Sequence, residues 1–443
     1  MHTESPILFR PISILTPDAS DGIRYLESGF VAVKGDRILY AGTDKHLAES
    51  SFGIDPYDVY DGDGRILMPA FANAHTHTAM VLMRNAADDR NLHDWLFQMI
   101  FPMEERLRRE DVLSGSLLGI AQMIRGGIGA CADMYYHADA SIEAAALSGF
   151  RMNICCEGKE ADAASGRIEI RPDLLASFRR ECQDAGNGRI LPSLMIHSVF
   201  LYDDYLYPAL AGMARDAGVP IHTHISETKK EVEDCLQKYG QSPVAQLADF
   251  GVFDGPCLAA HGVHLSEEDL SILAAHPVTV VHNPSSNMKL GSGMADVASM
   301  IRHGIPVALG TDGAASNNAL DLYREMRLAA FIAKCRAFDA SVMPAARVFR
   351  MATVDGMRGM GFGKSGVVEA GMKADLQIVD TRDVSLCPLG DPVSAMVYSA
   401  SAGNVESLMV DGRMLMRKRE LLTIDEERVC FEAVRAAAHV TGR

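Results

Sequence analysis

With 443 residues, 48% of them hydrophobic and 23% charged, the chain has the composition of a globular protein, which excludes disordered and fibrous classes. Its net charge of -16 excludes a main role in gripping a phosphate backbone, which needs a basic footprint. The nine cysteines form no C-x-x-C pair, the start is not leader-like, and no apolar run of about 18 residues occurs; free thiols in a soluble cytoplasmic protein are expected, with neither membrane nor nucleic acid polymer as partner.

In chain order, roughly the first sixty residues read as short strands at 12–15, 29–33 and 37–41, with Gly35-Asp36 as a hairpin signal. After Arg65 the text changes to apolar runs of four to eight residues, each followed by helical periodicity, as buried parallel strands in repeated βα units require. Eight such runs begin at 66–74, 130–134, 152–156 and 191–196 and continue at 219–223, 257–260, 278–281 and 306–309. Eight parallel strands favour a closed (β/α)8 TIM-type barrel, α/β in class, over an open sheet. From Gly366 strand-like text returns at 366–369, 374–379 and 407–410, before a turn at Asp411-Gly412. The expected organisation is a barrel over 66–365 and a small β-sandwich domain built from both chain ends, 1–65 and 366–443.

The chemistry begins with His75-Thr76-His77 at the end of the first run. Two residues apart on extended backbone, both side chains project to one face, and the end of a barrel strand is the rim where active sites are built. Alone, H-x-H is a weak signal. Further ionisable residues, however, end the later runs: His197, His222, His224, His261, His282 and Asp312. His75, His77, His224 and Asp312 make a donor set of three imidazoles and one carboxylate, suited first to zinc and acceptable to iron or manganese. A cation held there lowers the pKa of water toward neutrality and supplies a nucleophile. Asp312 can take the water's proton, Glu227 can act as the acid, and His261 can stabilise the adduct. His222, His264 and His282 read as packed or supporting histidines, and Cys131, Cys155, Cys156 and Cys257 as packing residues.

These residues lie in longer stretches that carry a resemblance. His75-Thr76-His77 after Met68-Pro69-Ala70-Phe71, His222-Thr223-His224-Ile225-Ser226-Glu227-Thr228, Ala260-His261-Gly262-Val263-His264, Val281-His282-Asn283-Pro284 and Gly310-Thr311-Asp312-Gly313 stand in order along nearly the whole chain. The chain resembles the aminohydrolase branch of the amidohydrolase superfamily, nearest to the methylthioadenosine/S-adenosylhomocysteine deaminases and the related triazine hydrolases. The resemblance implies one divalent metal per subunit on His75, His77, His224 and Asp312, with Glu227 and His261 beside it, and a homo-oligomer. It also implies hydrolytic loss of ammonia from an adenosine-type nucleoside: methylthioadenosine, 5′-deoxyadenosine, adenosine or S-adenosylhomocysteine.

By the same resemblance Glu104 falls where ribose hydroxyls are accepted, Trp95 where an aromatic lines the pocket, and His197 where the purine is contacted. The family recognises the S-adenosylhomocysteine carboxylate with two arginines. Here Cys156 stands at the first of these positions, while Arg167 matches the second across a gap. Substrates without an amino-acid tail are therefore expected to be preferred. Two alternatives stand beside this reading: hydrolysis of another ring such as guanine, a pterin or an s-triazine, by deamination or dechlorination, and a catalytically inactive metal-binding barrel.

Overall fold

All eight apolar runs contribute parallel strands to one sheet in the computed structural model, which describes residues 5–161 and 167–442. Strands 1 to 8 of the barrel are Phe71–Thr76, Ile128–Asp133, Arg151–Cys156, Ile190–Met195, Ile221–Ile225, Cys257–His261, Val278–His282 and Val307–Leu309. They are hydrogen-bonded to one another in chain order. Between strands 8 and 1 no ladder forms, and side chains close the seam instead. The Asn73 carboxamide accepts from the Thr311 N–H at 2.9 Å and donates to its hydroxyl at 2.8 Å, and the Asp312 N–H donates to the His75 carbonyl at 3.0 Å. One side chain thus does the work of a strand-to-strand bond, immediately below the residues of interest.

The barrel interior is filled from below. Small residues on strands 1 and 2, Ala72, Ala74, Ala130 and Ala132, leave room for Met357, Met360 and Phe362, contributed by the helix Val354–Gly359 and the turn after it. This is a packed core, as expected of an eight-stranded barrel.

Nine strands from both chain ends form the second sheet. Its main path runs Glu420–Leu421, Arg413–Arg417, Val405–Val410, Leu376–Asp380, Arg65–Pro69, Ile7–Pro17, Ile23–Lys34 and Arg37–Gly42, with Asp58–Asp61 paired in parallel to Ile7–Pro17. Its residues from both ends, among them Phe9, Val31, Leu67, Leu376 and Met409, share one apolar cluster. Register shifts in Ile7–Pro17 between Phe9 and Ile14 bend that long strand so that it can serve this core. Two hairpin tips meet at its edge: Gly412, at φ +77°, lies so close to Gly35 that a Cβ would sit 1.7 Å from the Gly35 carbonyl oxygen.

Three details differ from the expectation. The run at 66–74 is two strands, because the chain passes from one sheet to the other at Ala70: Arg65–Pro69 pairs with Leu376–Asp380, and Phe71–Thr76 begins the barrel. Residues 366–369 form no strand; Gly366 turns at φ +87°, and Val368 N–H donates to the Thr16 hydroxyl at 2.8 Å. The chain also closes with a helix, Glu426–Thr441, whose Ala433, Ala436 and Val440 pack in a cluster with Met80, Trp95 and Val112. Among the described residues no helix is long and apolar enough to cross a membrane.

Candidate metal and active site

His75 and His77 leave strand 1 where its pairing with strand 2 is irregular, between Asn73 and Thr76. Their rings are 5.0 Å apart, and their Nε2 atoms lie 3.4 and 3.3 Å from Asp312 Oδ1. The His224 ring lies 4.9 Å from that of His75 and 5.5 Å from that of His77; the His261 ring is 5.4 Å from that of His224. Two overlapping donor groups close enough to hold a cation result, His75 with His77 and Asp312, and His75 with His224 and His261. All five residues are buried.

The orientation of each ring is set by what its Nδ1 does. His77 Nδ1 meets the Met134 carbonyl, and His224 Nδ1 meets the His197 carbonyl at 2.8 Å. A carbonyl only accepts, so in both rings Nδ1 carries the proton when the imidazole is neutral and Nε2 presents a lone pair to the centre. His261 Nδ1 lies 2.7 Å from Asn287 Oδ1, with the same consequence. Asp312 is held at φ +61°, where an L-residue is strained, and its Oδ2 accepts from Ser286 and Ser316 at 2.6 and 3.0 Å.

Burial raises the carboxyl of Asp312, but the adjacent His75 and His77 outweigh this and hold it well below the usual range. Burial lowers His75 to about 4. It also lowers His77, but the Asp312 charge overcomes this and brings His77 up to about 9, so the metal-free centre keeps one proton beside the carboxylate.

Glu227 follows strand 5. Its Oε2 lies 3.6 Å from His261 Nε2, its Oε1 accepts from Ser292 Oγ at 3.4 Å, and burial raises its pKa. The turn bearing it is fixed by Glu231, whose two oxygens accept from the Ser226 and Glu227 N–H groups at 3.0 and 2.7 Å. Glu231 stands in a charged helix start, Lys229-Lys230-Glu231, and is nevertheless buried. Its signal in the sequence is the capping-box spacing Thr228-x-x-Glu231, and the Thr228 hydroxyl accepts from the Glu231 N–H at 3.1 Å.

Above the centre opens a cavity of about 820 Å³. Trp95, Glu104, His197, Tyr135 and Tyr136 line it, together with His77, His224, Glu227, His261 and Asp312. Trp95 is packed among Met80, Ile100 and Met103. Burial raises Glu104 to about 7, against a lowering by the neighbouring Tyr135 hydroxyl. The His197 ring lies 4.5 Å from that of His224, and its carbonyl orients that ligand candidate. Arg167 is not brought into this group: its guanidinium lies over the Tyr205 ring at 5.2 Å, and it does not line the cavity. Neither does Cys156, which packs in the main apolar core. Sequence reading missed Tyr135, Tyr136 and Ser292, which stand in ordinary loop text.

A family model described as the amidohydrolase family matches residues 66–415. The chain belongs to the amidohydrolase family. Curated relatives include a 5-methylthioadenosine/S-adenosylhomocysteine deaminase of Acetivibrio thermocellus, 42% identical over 98% of this chain and 99% of its own length. Another, of the same name, from Moorella thermoacetica is 41% identical over 90% of this chain and 92% of its own. Among solved structures, an adenosine deaminase from Xanthomonas campestris with bound zinc superposes with a TM-score of 0.91 at 30% identity, covering 99% of both chains. A guanine deaminase from C. acetobutylicum, at 20% identity and a TM-score of 0.81 over 92% of this chain and 99% of its own, shares the fold. Family membership and the zinc in the Xanthomonas neighbour indicate a divalent metal for this amidohydrolase. Its donors fit one: the Nε2 atoms of His75 and His261 are buried without a hydrogen-bond partner and face the same centre.

Proposed function

We propose that this amidohydrolase removes ammonia from an adenosine-type nucleoside, using one zinc ion held by His75, His77, His224 and Asp312. The observation that carries this reading is the convergence of imidazoles with bare Nε2 atoms on Asp312, beside a buried Glu227, at the floor of a cavity that Glu104 lines. The names of the curated relatives support the same chemistry.

When bound, the cation supplies Lewis acidity and lowers the pKa of a water molecule. The chain's own residues do the rest. Asp312, kept ionised by its histidine neighbours, takes a proton from that water as its oxygen adds to C6 of the purine. Glu227, which burial favours in the protonated form, gives its proton to the adjacent ring nitrogen, so that no charge builds on the ring. His261, with Nδ1–H anchored on Asn287, presents its Nε2 lone pair to the centre, where it accepts a hydrogen bond from the attacking water and aligns it. The proton collected by Asp312 then leaves with the amine, and as the carbonyl forms the C6 hydroxyl returns its proton to Glu227 by way of His261 Nε2, giving ammonia and the inosine analogue. Glu104 would accept the ribose hydroxyls, with Trp95 and His197 against the base and 5′ side.

With Cys156 in the core and Arg167 over Tyr205, neither residue at the arginine positions lines the cavity, which supports methylthioadenosine, 5′-deoxyadenosine or adenosine over S-adenosylhomocysteine. Ammonia release from these four nucleosides, with guanine, a pterin and an s-triazine alongside and with or without a chelator, tests the proposal. Chelator-sensitive release from the nucleosides is expected. Release confined to the other rings, or silence across the panel with zinc present, would overturn it.

A further inference from the structure

His77 and His224 are oriented by backbone carbonyls, but His75, the member common to both donor groups, is not. Its Nδ1 lies 2.9 Å from Nε2 of His222, which is wholly buried. His222 Nδ1 lies 3.4 Å from Cys155 Sγ, and Cys155 Sγ lies 3.2 Å from Ser193 Oγ. Ser193 Oγ lies 2.6 Å from Asn153 Oδ1, and Asn153 Nδ2 is 3.1 Å from the Met360 carbonyl. Five side chains on strands 1, 3, 4 and 5 thus form one continuous buried line from the centre to a main-chain oxygen beneath it.

The direction of this line is determined at its lower end. A carbonyl only accepts, so Asn153 must turn its NH2 to Met360 and its oxygen to Ser193. The Ser193 hydroxyl must then donate to Asn153, since the opposite choice would set two lone pairs against each other at 2.6 Å. With its one proton spent, Ser193 accepts from the Cys155 thiol, and the thiol in turn accepts from His222 Nδ1–H. A neutral His222 then offers a bare Nε2, which accepts from His75 Nδ1–H. An imidazolium at His222 would break the order, but it would be a buried charge, and no carboxylate is among its hydrogen-bond partners. Each proton in the line has one place to go, and His75 is left with its Nε2 lone pair aimed at the centre.

We infer that Cys155 and Ser193, acting through His222, are positioning residues that fix the tautomer of His75 and so tune the metal affinity of the site. The inference rests on the metal reading above but not on the substrate. Supporting partners of this kind commonly set metal affinity by about 10- to 100-fold. A thiol in this role also differs from the bland packing function that a cysteine in strand-like apolar text suggests.

The test is zinc affinity by chelator competition for Cys155→Ala, Ser193→Ala and the conservative Cys155→Ser, together with the melting temperature of each protein in excess chelator. The two alanine variants should bind zinc at least about tenfold more weakly, and Cys155→Ser, which keeps a donor and an acceptor, should recover most of the loss. Histidine 15N spectra of the metal-free proteins should show His75 as the Nδ1–H tautomer in the wild type and as a mixture in Cys155→Ala. A purely structural role would lower the metal-free melting temperature without moving the tautomer. Wild-type zinc affinity and tautomer in both alanine variants would overturn the inference and leave the metal reading standing; a wild type that takes up no divalent metal would overturn both.

Discussion

Replacing Glu104 with alanine removes a carboxylate that lines the cavity beside Tyr135 and that the proposed function assigns to the ribose hydroxyls. Two hydroxyl donors on a carboxylate make charge-assisted bonds of about 1.5–3 kcal/mol each, so about 3–6 kcal/mol of nucleoside recognition is at stake. Because burial brings Glu104 to about 7, roughly half of it is ionised at neutral pH, which trims the upper figure by only a few tenths. The expected loss of kcat/KM toward adenosine is about 10²- to 10⁴-fold. The assay is a substrate cycle: wild type and Glu104→Ala, each on adenosine and on 2′,3′-dideoxyadenosine, followed by ammonia release. The wild type should discriminate strongly between the two, and the variant by less than about tenfold. The pH profile adds a sign. A carboxyl with a raised pKa contributes its acceptor charge only above that pKa, so wild-type kcat/KM for adenosine should climb as pH passes about 7, and the variant should lack that part of the profile. An equal loss on both substrates would refute the ribose assignment.

Glu227→Gln keeps the shape of the acid but not its proton; kcat should fall by about 10²- to 10⁴-fold while metal content, measured by emission spectrometry, stays at the wild-type level. Zinc must displace the proton that His77 keeps with its pKa near 9, whereas His75 near 4 is already neutral, so apparent zinc affinity should rise by up to about tenfold per pH unit from pH 6 toward 9. A flat profile by chelator competition would contradict that protonation state. Asn73→Ala should remove both of the bonds that Asn73 makes across the barrel seam and leave the Thr311 N–H buried and unpaired, costing about 2–4 kcal/mol and lowering the urea midpoint. An unchanged midpoint would show that the seam is held by its remaining contacts, the Asp312 N–H on the His75 carbonyl and the Thr76 hydroxyl on the Asp312 carbonyl.

The eight barrel strands were legible because parallel strands covered on both faces must be written as apolar runs, and their ends were legible because ionisable residues interrupt those runs. The break at Ala70 was not: Pro69 stands beside it, but a proline in a strand-like run does not say that the chain changes sheet, which follows from which partner each half meets. Val367 and Val368 have strand propensity, but Gly366 is wedged against the Val354 backbone at positive φ, and that contact overrides it. Arg167 was placed by a match that crossed a gap, and the structure sets it over Tyr205 instead.

By itself the sequence determined the barrel class and singled out His75, His77, His224 and Asp312 as candidate donors, because strand periodicity and side-chain chemistry are local properties that spacing records. Only the tertiary structure decided which nitrogen each histidine turns toward the centre, that Glu231 is buried behind Glu227, and that Cys155 and Ser193 stand in line with His75. Those facts depend on neighbours from other strands, brought within hydrogen-bond distance by closure of the barrel.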